Sequence, residues 1–236
     1  MWDQGIRHVI TTPHFRASTI SKADEFEAHM SRIDEGWEAL VAAVAMSFPE
    51  MRMDRGVELA LDEPMFPVSD RRLRLAGTKF ILVEFPSFTI PPNSARALAQ
   101  LARLGATPII AHPERYENVG HELGLLIDWK QSGAFLQLNA GSLLGVYGSR
   151  PEKRAWEYLE AGVVDYLSSD YHSRGRCLVF EAEKRIADRG GESQFRILSS
   201  VNGTRLLAGI EPSPVPPLVR TQSRWERLTG ALRRKR

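Results

Sequence analysis

Imidazole and carboxylate side chains recur at the ends of short apolar runs in this 236-residue chain. His14 follows Ile10-Thr11-Thr12-Pro13, Glu58 stands in Gly56-Val57-Glu58, and Glu84 closes Leu82-Val83-Glu84. His112 follows Ile109-Ile110-Ala111, and Asp170 and His172 come just after Leu167-Ser168-Ser169. Nitrogen and oxygen donors in this mixture suit Mn2+, Fe2+ or Zn2+ better than Ca2+ or Mg2+. Three carboxylates gathered together would repel one another and take up protons unless cations neutralise them. Six donors exceed the needs of one tetrahedral zinc, so the set points to two or more ions. Each residue alone has a plainer role: His14 as a turn residue, Glu58 as an arginine partner, Glu84 as a strand-end carboxylate. Asp170-x-His172 is the strongest pair, because alternate residues of an extended segment reach neighbouring metal positions. His8, His29 and His121 fall mid-strand, within a helix and at a helix start, and read as packing or solvent-facing groups.

The donors can meet only if the chain brings those run ends together. Six runs read as strands: 7–12, 55–60, 79–84, 107–111, 134–138 and 163–168. Several are continuously apolar and rich in Val, Ile and Phe, as strands covered on both faces are. Helices are predicted between them over 21–47, 93–104, 122–131, 151–160, 181–189 and 194–198, with Gly105, Gly133 and Gly162 as stops. Alternating strands and helices argue for parallel β/α units, as a barrel or a doubly wound sheet. In both architectures the carboxyl edge of the strands is where sites are built.

Composition narrows the class. Apolar residues make up 43% and charged residues 25%, as in ordinary globular domains. No apolar run approaches the roughly 20 residues a membrane helix requires. The single cysteine, Cys177, excludes an internal disulfide framework or a cysteine zinc site. With no basic-then-apolar start, the default location is the cytoplasm. The net charge of +2 conceals an asymmetry: residues 212–236 carry seven Lys and Arg against one Glu, leaving 24 basic and 28 acidic side chains elsewhere. That acidic body gives no support to nucleic-acid binding. A domain over 1–210 followed by a proline-rich linker and basic tail over 211–236 is the expected organisation. Trp225, Leu228 and Leu232 give the tail one apolar face for weak contact with an anionic membrane or an acidic partner. A solvated tail is the plainer reading.

At these positions the sequence resembles a known family. Thr-Thr-Pro-His14, Gly-Val-Glu58, Val-Glu84-Phe, Ala-His112-Pro-Glu-Arg115-Tyr, Leu-Asn139-Ala-Gly-Ser and Ser-Ser-Asp170-Tyr-His172 are similar to the manganese-dependent bacterial protein-tyrosine phosphatases of the PHP superfamily. Those enzymes are associated with capsule and exopolysaccharide synthesis. The resemblance runs in order from about Trp2 to Leu207. It implies a distorted (β/α)7 TIM-like barrel, two or three manganese ions with Fe2+ or Zn2+ as substitutes, and a bacterial tyrosine kinase as the phosphotyrosine partner. It implies His14, Glu58, Glu84, His112, Asp170 and His172 as metal ligands and Arg115 as the catalytic arginine on the phosphate. Arg176, in Ser-Arg-Gly-Arg, is the weaker match to a second substrate contact.

The chain departs from the family in one respect. Members open with a strand carrying His-x-His and an Asp-containing loop, whereas the histidines here stand at 8, 14, 29, 112, 121 and 172. The barrel is therefore expected to lack its first strand and helix. On the family pattern, metals acidify a water whose hydroxide attacks phosphorus in line, with Arg115 on the phosphoryl oxygens. The classical cysteine route requires Cys-x5-Arg, but the sixth residue after Cys177 is Glu183. Two rivals stand beside this reading: another PHP phosphoesterase of the histidinol-phosphatase type, and a non-catalytic remnant that binds a partner.

Overall fold

Strand and helix alternate along the chain, as the apolar runs predict. In the computed structural model, which describes residues 1–63, 65–120, 123–172 and 175–219, β1 (His8–Thr11) and β2 (His14–Arg16) precede α1 (Ala17–Ile20) and α2 (Ala23–Ser47). β3 (Arg52–Arg55), β4 (Glu58–Ala60) and β5 (Phe80–Glu84) lead to α3 (Ser94–Arg103). β6 (Thr107–Ala111) leads to α4 (Gly124–Gln131), and β7 (Phe135–Asn139) to α5 (Ser149–Ala161). β8 (Tyr166–Ser168), α6 (Val179–Ala187), α7 (Glu192–Arg196) and α8 (Asn202–Leu207) complete the order, with a π-helical turn over Ile197–Val201 between the last two. His121 and Glu122, at the start of the expected third helix, lie outside the described residues, as does the basic tail over 220–236.

Among the described residues all strand pairs are parallel. β1 pairs with β3, and a six-stranded sheet runs β2-β4-β5-β6-β7-β8. The second expected strand, 55–60, is broken in two, and an unexpected strand, β2, opens just after the first, which corrects the sequence reading. Pro13 has no N–H for a ladder bond; Gly56 N to Thr11 O (2.9 Å) and Glu58 N to Pro13 O (3.0 Å) span the gap, and pairing resumes at His14 and Glu58. Gly56 is required at this break, since a Cβ there would stand 3.0 Å from Arg74 O and Leu75 Cα. His14 and Glu58 therefore open strands rather than follow or lie inside them.

Register decides which side chains share a face. Parallel partners point the same way and alternate residues point opposite ways. Ile81, Val83, Ile110, Leu136 and Leu138 belong to the main core shared with the helices, including Leu98, Leu101, Trp129, Ala155 and Leu159. The alternate residues Phe80, Leu82, Ile109, Ala111 and Tyr166 form a second, smaller core with Leu75, Leu206, Ile10 and Phe135. The rings of His14, on edge strand β2, and His172, just beyond edge strand β8, stand 6.1 Å apart, so this second face is concave.

The segment after α8 is not a free linker. Val215 and Leu218 are buried in the main core, Leu218 N donates to Leu159 O at 2.9 Å, and Gln194 Nε2 donates to Pro216 O at 2.7 Å. Asn202 holds Ser213 through bonds in both directions. The boundary expected after Ile210 thus does not part residues 211–219 from the body. The prolines remove N–H groups that would otherwise need partners, which suits an irregular strap laid on apolar surface. Among the described residues no helix is long and apolar enough to cross a membrane.

Candidate metal centre

The concave face ends in polar groups at the carboxyl edge of the sheet. His14 pairs in register with Glu58, and Glu58 with Leu82, so Glu84, two residues further, points the same way. Asn139 pairs with Ser168 on the far side of the sheet. One row of the pleat thus delivers donors from several strands into a single space.

The distances are those of a cluster. His14 Nδ1 lies 3.3 Å from Glu84 Oε1 and 3.9 Å from Glu58 Oε2. His112 Nε2 lies 3.0 Å from Glu58 Oε1 and 3.8 Å from Glu84 Oε2. One donor atom from each of His14, Glu58 and Glu84 falls within 4.8 Å of the others, close to the span of ligands sharing one ion at about 2.0–2.2 Å. Glu58 and His112 are buried, whereas the side chains of His14 and His172 are 60% and 66% exposed and form the open side.

Asp170 joins through a second set of contacts. Arg115 Nη1 donates to its Oδ2 at 3.0 Å, and Asn139 Nδ2 donates to the same oxygen at 2.7 Å. The orientation of the Asn139 amide is fixed because its Oδ1 accepts from Gly141 N at 2.8 Å. His172 Nδ1 stands 3.0 Å from the backbone O of Asp170, and its ring stacks on that of His14 with centroids 6.1 Å apart. His112 and Asp170 both have left-handed backbones, with φ of 35° and 43°. Non-glycine residues occupy that region at a cost of about 1–3 kcal/mol, and such strain gathers at functional sites.

The centre is short of positive charge. The hydrogen bond with the Glu84 carboxylate pulls the His14 imidazole above its ordinary pKa; partial burial opposes this, and Glu58, Glu84 and Asp170 add to the rise. Burial pushes Glu58 up, yet the hydrogen bond from His112 and the nearby His112, His14 and Arg115 charges leave it below the usual carboxylate range. Imidazoles and Arg115 thus do in part what divalent cations would do fully. The donor chemistry and the spacing both fit a metal.

Arg115 is presented by a tied-down loop. The buried Tyr116 hydroxyl accepts from Phe85 N at 3.0 Å, and Asn118 exchanges bonds with Ile90 N and O at 2.8 and 2.9 Å. The buried Arg154 guanidinium donates to the carbonyls of Glu114, Tyr116 and Val119. Glu114 is fully buried and accepts from Ser142 Oγ (2.6 Å) and Asn139 N (3.2 Å), with burial pushing its carboxyl pKa up. The Arg115 guanidinium carbon lies 4.6 Å from the Phe88 ring centroid and 4.1 Å from that of Tyr147.

Six of the sequence-derived residues and Arg115 thus gather at one rim. Arg176 does not join them: its side chain is 82% exposed and pairs with Glu181 at 3.0 Å. His29, read as structural, stacks on Phe15 at 4.5 Å, and His8 pairs with Asp54 at 2.6 Å. Sequence reasoning passed over Phe88 and Tyr147, and it quoted Asn139 only within a motif. The one available signal for Asn139 was its place at the end of a predicted strand.

The model of the family described as capsular polysaccharide synthesis, CpsB/CapC, matches residues 1–208. The chain belongs to the CpsB/CapC family. The tyrosine-protein phosphatase YwqE of Bacillus subtilis strain 168 is 29% identical over 178 residues, a match covering 72% of this chain and 65% of YwqE. The tyrosine-protein phosphatase CpsB of Streptococcus agalactiae serotype III is 27% identical over 179 residues, covering 72% of this chain and 70% of the relative. A solved chain from work on YwqE of Bacillus subtilis and CpsB of Streptococcus pneumoniae, described as unique metal-dependent tyrosine phosphatases, superposes with a TM-score of 0.66. It is 25% identical, and the alignment covers 93% of this CpsB/CapC chain and 88% of that one.

Proposed function

We propose that this chain is a metal-dependent protein-tyrosine phosphatase acting on phosphotyrosine of a capsule or exopolysaccharide protein, in particular a bacterial tyrosine kinase. The observation that carries this is the convergence of His14, Glu58, Glu84, His112 and Asp170 beside Arg115. The similarity to YwqE and CpsB supports it. Our finer reading is a distorted PHP-type barrel, supported by the concave second core. It has Mn2+ as the resident ion, held by those five residues and His172. ATP-dependent kinases make the substrate, which places the action in the cytoplasm.

Bound divalent ions would neutralise charge on the phosphoryl oxygens and make a water more acidic. The protein's own part is positioning. Arg115 exchanges the Asp170 carboxylate for phosphoryl oxygens and gives them paired, charge-assisted hydrogen bonds. Its tied loop keeps the guanidinium in place before substrate arrives, so little ordering is needed at the reaction step. A phenol of pKa about 10 leaves without a strong protein acid. Arg176 becomes a second phosphate contact on release from Glu181.

The test is release of inorganic phosphate from a phosphotyrosine peptide by the purified chain with Mn2+. Faster turnover of histidinol phosphate would instead favour the other phosphoesterase class. Phosphopeptide binding without turnover would favour the non-catalytic role.

A further inference from the structure

Arg115 is flanked by two aromatic rings that no core packing explains. Phe88 is 37% exposed and Tyr147 36% exposed, though each is a large apolar group. Both have built seats. Phe88 and its neighbour Ser87 carry left-handed backbones, with φ of 51° and 57°, on a turn anchored by Glu117 N to Phe88 O at 2.9 Å. The Phe88 ring also stands 5.6 Å from the ring of His112. Tyr147 lies over Gly141, where a Cβ would come within 3.0 Å of the tyrosine Cε2. Its hydroxyl accepts from Asn139 Nδ2 at 3.3 Å. Backbone strain and a bare glycine thus hold two half-exposed rings against one guanidinium at the mouth of the centre.

We propose that Phe88 and Tyr147 are specificity-determining residues that select aryl over alkyl phosphate monoesters. The proposal rests on the phosphatase reading only for its reaction, not for its recognition. In an aryl phosphate the ring begins one oxygen from phosphorus. A phosphoryl group gripped by Arg115 therefore places that ring next to side chains already within 4.6 Å of the guanidinium. Stacked or edge-on aromatic contacts then form with the substrate, and an alkyl ester cannot make them.

The test separates recognition from turnover. Dissociation constants of the Mn2+-loaded protein are measured for phenylphosphonate and methylphosphonate, which share the phosphonate head and are not hydrolysed. In parallel, kcat/KM is compared for phosphotyrosine and phosphoserine in one peptide; the intrinsic difference between leaving groups cancels when variants are compared with the parent. Phe88→Leu and Tyr147→Leu should each lower the aryl preference about three- to tenfold, while Tyr147→Phe, which keeps the ring, should hold it within about twofold. Phe88→Trp adds a readout that does not depend on loss of packing: phenylphosphonate should change its fluorescence and methylphosphonate should not. Equal weakening toward both ligands in the Leu variants, or an unchanged preference, would overturn the proposal. If the parent hydrolyses neither peptide, the phosphatase reading fails while the phosphonate comparison still decides this one.

Discussion

The ring of His14, on one edge strand of the six-stranded sheet, stacks on the ring of His172, just beyond the other edge strand, with centroids 6.1 Å apart. In a flat sheet of six strands those edges would stand roughly 24 Å apart. The sheet must therefore curl until its margins approach at the carboxyl ends, and the curl draws the intervening donors inward.

A bound ion should act as a clasp on that curl. Adding Mn2+ should raise the thermal midpoint, by about 2.7 kcal/mol of stability at a hundredfold excess over Kd. Glu58→Gln, which keeps shape but removes a charge facing both His112 and His14, should abolish the Mn2+-induced rise. Calorimetry with and without EDTA is the check, and an equal rise in both proteins would place the ion elsewhere.

Asn139 orients Asp170 without being a donor to the cluster itself. Asn139→Ala should weaken metal affinity about 10- to 100-fold, as loss of an outer partner does. Isothermal titration with Mn2+ reads this directly, and far-UV dichroism should stay unchanged.

Arg115→Lys keeps the charge and loses the planar fork and the stacking on Phe88 and Tyr147. Phosphotyrosine turnover should fall roughly 10²- to 10³-fold in kcat/KM. The Mn2+-induced rise in melting should survive. Loss of both together would mean that Arg115 supports the fold of the centre rather than the phosphate.

Trp129, fully buried between α4 and the sheet, donates Nε1–H to Ser94 Oγ at 2.9 Å, tying α4 to α3. Ser94→Ala leaves that donor unpaired and should cost about 1–3 kcal/mol. Urea unfolding should show a lower midpoint with an unchanged m-value.

Asp70 gives a pH signature remote from the centre. The hydrogen bond from Arg72 holds its carboxyl below the ordinary 3.8, although burial opposes this. A depressed folded-state pKa adds stability above the unfolded value and loses it as pH falls through the folded value. The gap in thermal midpoint between the parent and Asp70→Asn should therefore be full near pH 6 and shrink below about pH 4. A gap constant down to pH 2 would contradict the pairing.

Much of the centre was legible because strand ends can be read from apolar periodicity, and because His, Glu and Asp at those ends have few other reasons to coincide. The break at Pro13 and Gly56 was not, since two half-strands and one strand give the same hydrophobic pattern; backbone bonding alone separates them. Phe88 and Tyr147 were invisible for a different reason. Their positions depend on left-handed turns at Ser87 and Phe88 and on contact with Gly141, and such turns at serine and phenylalanine have no compositional sign. Residues 211–219 misled because proline-rich composition signals stiffness, whether the stiff segment is free or strapped to a core. Arg176 was named from its place along the chain, and its present partner, Glu181, was not legible there.

Donors on or just beyond five strands of the six-stranded sheet make this centre a late product of folding. A polypeptide emerging from the ribosome has His14, Glu58 and Glu84 long before Asp170 and His172, and distant pairings of this kind form slowly. Half-built intermediates therefore carry unshielded acid groups, and the centre is complete only when its last strand docks.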